Sequence, residues 1–192
     1  MDLAALGSGV LEDVVDPAPV LERETVFDGR VWDIVRETVT FGGSPMTREY
    51  MAHPGAVVVA AIDDDERILL INQYRQPIGT RDWELPAGLL DVAGEDKLTA
   101  AQRELAEEAD LVASEWRELV AYHPSAGGSD EVITIFEARG LSAAPLVHDR
   151  TDEEAEIVLR WVPLGEVLDG ITGGRLHNGP LITAALLVHA RR

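Results

Sequence analysis

Glu104, Glu107 and Glu108 fall within the stretch 98–109, LTAAQRELAEEA, beside Arg103. Leu98, Ala101, Leu105 and Ala109 recur there at helical spacing, which predicts an amphipathic helix. At about 100° per residue, Glu104 and Glu108 come one turn apart and nearly in register, with Glu107 to one side. Like charges at this spacing repel by a few tenths of a kcal/mol per pair, so the cluster calls for a cation. Arg103 is one candidate. A hard divalent cation such as magnesium is another: it takes oxygen ligands, keeps several waters and commonly bridges a carboxylate to a phosphate. Taken alone, the three glutamates fit an ordinary solvated acidic face better, because Glu is a strong helix former and common on exposed faces.

The elements that must hold this helix are read from the apolar pattern. The first 20 residues are expected to be a flexible tail, with Pro17 and Pro19 interrupting regular structure. Residues 21–50 carry β-branched and aromatic runs broken by Asp28-Gly29 and Gly42-Gly43, which predicts a small antiparallel β subdomain. The main domain is expected over 51–192. Its apolar run 56–62, the turn at Asp63, Asp64 and Asp65, and the run 68–71 read as a central hairpin of the main sheet. Further strands are expected over 116–122, 132–138 and 157–162, separated by two long polar loops, and helices over 163–169 and 180–190. Mixed strands with few helices predict an α/β or α+β sandwich.

Charge and composition narrow the chemistry. The 192 residues hold 16 Lys plus Arg against 35 Asp plus Glu, a formal charge of −19, which disfavours a long phosphate polyanion on a basic face. No nucleic-acid partner is expected. The chain has no cysteine, which removes disulfides, thiolate metal sites and cysteine nucleophiles and is compatible with a reducing cytoplasm. Its first residues lack the basic region of a signal peptide, and no stretch approaches the length of a membrane span, so a cytoplasmic protein without a membrane partner is expected.

The residues leading into the helix give the cluster a more specific meaning. The segment ELPAGLLDVAGEDKLTAAQRELAEEADL resembles the Nudix box, in which a glycine is followed by Glu, then by Arg-Glu, Glu-Glu, a glycine and an apolar residue at fixed spacings. Gly88, Glu95, Arg103, Glu104, Glu107, Glu108 and Leu111 match in order. Two departures stand out. Six residues separate Gly88 from Glu95 where the pattern has five, and Asp110 replaces the glycine at the helix end, where a left-handed cap is expected at some cost. From about residue 24 to 190 the chain resembles the ADP-ribose pyrophosphatase branch of the Nudix hydrolases. Gln73-Tyr74-Arg75, the WELPAG entry and the loop 124–131 support this, although Ala126 stands where that branch often has proline.

The resemblance implies a Nudix-type α/β/α sandwich with a mixed sheet, and hydrolysis of ADP-ribose to AMP and ribose 5-phosphate with Mg²⁺, for which Mn²⁺ could substitute. Another nucleoside diphosphate sugar, such as GDP-mannose or a UDP-sugar, is the alternative substrate, and a non-catalytic ADP-ribose-binding module the alternative function. By position, Glu104, Glu108 and the Ala87 carbonyl oxygen would hold metal directly, and Glu107, a catalytic residue, would bind it through water. Glu154 would be the base and Glu156 an accessory acid or metal ligand. Glu95 and Arg103 would brace the motif beside Gly88. Arg75, Arg48, Trp32, Glu84 and Ser129 would contact substrate, and a homodimer would exchange its N-terminal strands.

Overall fold

The computed structural model of the chain describes residues 10–146 and 156–191. They form ten strands and three helices. The chain divides into two compact units, the boundary falling between Tyr50 and Met51 within the third strand.

In the first unit, β1 (Val20–Phe27), β2 (Asp33–Phe41) and β3 (Ser44–Ala52) form a three-stranded sheet in that order. Gly42 and Gly43 make the β2–β3 turn at φ 58° and 80°, a backbone region open to glycine without a side-chain penalty. Arg36 links the strands by ion pairs to Glu24 at 2.8 Å and Glu49 at 2.6 Å. Every residue of β1 is exposed. The sheet therefore leaves Val20, Val26, Phe27 and Phe41 in contact with solvent.

In the second unit, β4 (Ala56–Ala61), β7 (Ala87–Leu89), β8 (Leu111–Tyr122) and β9 (Ile133–Ala143) form a four-stranded sheet of order β7-β4-β9-β8. The β4–β9 pair is parallel and its neighbours antiparallel, so the sheet is mixed. A second sheet, β10-β5-β6, joins β5 (Arg67–Arg75), β6 (Thr80–Glu84) and β10 (Val158–Pro163). Helix α1 (Lys97–Ala109) covers one side, and α2 (Leu164–Thr172) and α3 (Gly179–Ala190) the other. Strand periodicity accounts for this layering: Val57, Val59 and Ala61 face α1, while Val58, Ala60 and Ile62 join the cluster around α2 and α3. Trp116 and Trp161 pack on the first cluster and Trp83 on the second.

The expected central hairpin does not form. Ile62 and Ile68 share one bridge, and beyond it β4 and β5 diverge into different sheets. The reason is that a strand has two edges, and those of β4 are taken by β7 and β9, those of β5 by β10 and β6. Asp63 fixes the corner, its Oδ1 accepting from the Asp65 and Arg67 N–H groups at 3.1 and 2.8 Å. A further difference is that β8 begins at Leu111, immediately after the α1 cap, and not at Trp116.

On the β8–β9 pair, the buried Glu137 carboxylate accepts from Arg139 Nε at 2.6 Å and from Arg117. Burial pushes this carboxyl up, but the Arg139 and Arg117 hydrogen bonds and charges outweigh it and hold it below the ordinary carboxylate value. A depressed folded value means stability that is present at neutral pH and lost as pH falls through that value. Glu137→Gln should thus lower unfolding stability by about 1–2 kcal/mol at pH 7, with Arg117 well solvated in either case. Urea titrations should show the gap shrinking below about pH 4, near the ordinary Glu range; an equal gap at both pH values would contradict the assignment.

Candidate active site

The chemistry-bearing residues gather where β7 passes under α1. Asp96 caps the helix, its Oδ1 accepting from the N–H groups of Leu98 at 3.0 Å and Thr99 at 3.1 Å. At the other end Asp110 adopts the left-handed conformation at φ 54°, and its N–H bonds the Ala106 and Leu105 carbonyls. The cap expected of glycine is thus intact with aspartate, and β8 can start at the next residue.

Ala101, Leu105 and Ala109 bury one stripe of α1, whereas Leu98, expected on the same stripe, stays 36% exposed at the first turn. Glu104 and Glu108 are 8% and 5% exposed, which excludes the solvated acidic face that their sequence also allowed. Two buried carboxylates one helical turn apart require compensation. For Glu108 it includes the Ala87 N–H, which donates to Oε2 at 2.9 Å. Glu104 lies against Gly88: a Cβ there would overlap its Oε1 and Cδ and come within 2.6 Å of its Cγ. The glycine is needed for space, since its backbone is not among the left-handed positions.

Arg103 is the local cation. Its Nε and Nη2 form a fork on Glu95 at 3.1 and 3.0 Å, and its Nη1 reaches Glu104 Oε1 at 2.5 Å and Glu107 Oε2 at 3.1 Å. The Glu95 hydrogen bond first, then the charges of its neighbours, raise the guanidinium above its ordinary value despite partial burial. Glu95 in turn is held below the usual carboxylate range by the Arg103 hydrogen bond. Among the described residues, no three acidic or histidine side chains are already gathered as a metal's ligands. The donor set nevertheless fits a hard divalent cation: carboxylate oxygens on one side of α1, two of them buried, facing a stretch of β7 whose Gly88 leaves room for them.

The other predicted residues are distributed as follows. Arg75 and Glu84 are brought together across β5 and β6 in a fork pair, Nε to Oε1 and Nη2 to Oε2 both at 2.9 Å. Glu84 is buried, so this pair fixes the strand that leads into the Leu85-Pro86-Ala87 turn. Glu156 ion-pairs with Arg81 on β6. Ser129 Oγ donates to the Met51 carbonyl at 3.1 Å and accepts from the Glu131 N–H at 3.1 Å, bracing its own loop. Trp32 and Arg48 belong to the first unit, where Arg48 Nη1 donates to the Thr47 carbonyl at 2.8 Å. Glu154 lies outside the described residues. Sequence reasoning missed His53, Asp130 and Glu131 as a bracing group; the turn-forming His53-Pro54-Gly55 before an apolar run was the available signal.

A mixed sheet between helices, with a carboxylate-bearing helix entered through a Pro-Ala-Gly passage, defines the class: residues 51–183 match the NUDIX domain, and the chain belongs to the Nudix family of hydrolases. It is 40% identical over 173 residues to an ADP-ribose pyrophosphatase of Mycobacterium tuberculosis, covering 88% of this chain and 82% of that one. An ADP-ribose pyrophosphatase of Bacillus subtilis is 36% identical over 161 residues, covering 79% and 86%. In fold, the chain is similar to the crystal structure of an ADP compounds hydrolase, with a TM-score of 0.76 at 23% identity, covering 93% of this chain and 96% of that one. Nudix hydrolases generally use divalent metal ions. Among the described residues, no helix is long and apolar enough to cross a membrane.

Proposed function

We propose that the protein hydrolyses the diphosphate bond of ADP-ribose to AMP and ribose 5-phosphate, with Mg²⁺ as the metal and Mn²⁺ able to replace it. The observation that carries this reading is the buried Glu104–Glu108 pair facing Ala87 and Gly88, in a chain similar over most of its length to two ADP-ribose pyrophosphatases. Glu104, Glu108 and the Ala87 carbonyl oxygen would hold the cation, with Glu156 as an accessory ligand. A divalent cation bound there supplies the positive charge that draws a diphosphate to a chain of charge −19 and offsets the charge that builds up during phosphoryl transfer. Glu154 takes the proton of the attacking water, and Glu107 helps to orient that water.

Arg103 holds the carboxylates in register through its Glu95 fork, and Gly88 keeps the space beneath Glu104 open. Arg75, Arg48, Trp32, Glu84 and Ser129 would contact or position the nucleotide sugar. A homodimer built through the N-terminal strands is part of the same proposal, supported by the apolar side chains that the first sheet leaves exposed. So is a cytoplasmic setting, with which a chain lacking cysteine is compatible. The substrate assignment is tested by measuring kcat/KM for ADP-ribose, GDP-mannose and a UDP-sugar side by side. ADP-ribose should lead by at least about tenfold, a difference of some 1.4 kcal/mol in transition-state binding; a higher value for either competitor would transfer the assignment to it.

A further inference from the structure

The loop 124–131 is fastened to the residues that precede β4. Met51 N–H donates to the Gly128 carbonyl at 2.9 Å, Ser129 Oγ donates to the Met51 carbonyl at 3.1 Å, and His53 N–H donates to Asp130 Oδ1 at 2.8 Å. Within the loop, the N–H groups of Gly128 and Ser129 both donate to the Ser125 carbonyl, at 2.9 and 3.0 Å. The Ala56 N–H bond to the Val132 carbonyl at 3.1 Å then leads directly into the parallel β4–β9 ladder. This fastening continues the pairing of the β4–β9 ladder into the loop, beginning with the parallel bridge between Met51 and Ser129.

The His53 ring sits at its centre. Its side chain is 4% exposed. Nδ1 accepts from the Gly55 N–H at 3.0 Å, which leaves Nε2 as the ring's N–H donor. Nε2 faces Glu131 Oε1 at 3.5 Å, and Glu131 N–H is itself bonded to Ser129 Oγ. The ring therefore spans from the entry of β4 to the far end of the loop, contacting one side with an acceptor and the other with a donor. A buried imidazole used in this way is matched to both partners by its tautomer.

We infer that His53 is a positioning residue: by holding Gly55 on one nitrogen and Glu131 on the other, it sets the 124–131 loop in the shape that receives the nucleotide sugar. This rests on the proposed hydrolase reading, which places Ser129 at the substrate. His53 acts on binding through the loop, whereas the α1 carboxylates act on the phosphoryl transfer. The two should separate in kinetics.

The test combines turnover with amide hydrogen exchange on the full chain. His53→Ala should raise KM for ADP-ribose by about tenfold, the equivalent of one lost buried hydrogen bond, and change kcat less than about threefold. Exchange of amides 125–131 should quicken by at least about tenfold while amides 100–108 of α1 keep their rates. His53→Asn offers an oxygen to Gly55 N–H but falls short of Glu131, so it should recover folding and only part of the KM change. It carries the test should the alanine variant not fold. Unchanged exchange over 125–131 would overturn the inference, as would faster exchange there with KM unmoved, or equal losses in kcat and kcat/KM. Should the wild-type chain turn over no nucleotide sugar at all, the hydrolase reading falls and with it the substrate half of the inference, while the exchange result still decides whether His53 sets the loop.

Discussion

Glu104→Gln should lower the turnover of ADP-ribose by about 10³-fold, the rate equivalent of the several kcal/mol that a divalent cation contributes to a charged transition state. Glutamine keeps the shape that fits against Gly88, so the packing under α1 survives. What is lost is a full negative charge, and a neutral amide is a poor partner for a hard cation. The stability cost should be small. Glutamine keeps an oxygen for Arg103 Nη1, which reaches Glu104 Oε1 at 2.5 Å, and Arg103 keeps its fork on Glu95 and its contact with Glu107. Steady-state kinetics beside a thermal melt checks this, with a near-native Tm expected. A rate within several-fold of wild type would remove Glu104 from the metal site.

Gly88→Ala should have the second-largest effect, and by a different route. The added Cβ would overlap Glu104 Oε1 and Cδ, the end of a side chain, so the carboxylate must swing while the β7 backbone stays paired with β4. A displacement of about 1 Å at a reacting group can cost on the order of 10²-fold in rate. Forcing one methyl into a filled space costs about 1–3 kcal/mol. The expected signature is a fall of about 10²-fold in kcat with a modestly lower Tm and a weaker apparent affinity for the metal. Full activity in a folded Gly88→Ala variant would mean that Glu104 need not occupy its position against β7.

These predictions depend on burial and close approach, the parts of the site that sequence does not reveal. The extent of α1 was legible to within a residue, because Ala101, Leu105 and Ala109 recur every four residues, close to one helical turn. So was the αL turn at Asp110, since a motif position that wants glycine announces its backbone. The β4–β5 hairpin was misread because two apolar runs joined by aspartates look the same whether they pair or part. Only the distant claims of β7, β9, β6 and β10 on their edges decide the matter. The ExxEE pattern alone could not separate solvated glutamates from buried ones; Gly88 and the Ala87 N–H make that difference. The His53 clasp was hidden for the same reason, as Asp130 stands 77 residues away in sequence.

The acid excess also takes on structure. Much of it is engaged with arginine: Glu24 and Glu49 with Arg36, Glu84 with Arg75, Glu137 with Arg117 and Arg139, and Glu95 with Arg103. Glu104 also takes a hydrogen bond from Arg103, but it and Glu108 are buried together on one helix, the arrangement whose charge the proposed dication would balance.

The central claim is metal-dependent cleavage of the ADP-ribose diphosphate, and product analysis tests it most directly. The chain is incubated with ADP-ribose and Mg²⁺, with and without excess EDTA, and the nucleotide and sugar products are separated and counted. One AMP and one ribose 5-phosphate for each ADP-ribose consumed, with release abolished by EDTA and restored by added Mg²⁺, is the predicted result. No AMP with Mg²⁺ or Mn²⁺ present, or equal release in EDTA, would contradict it.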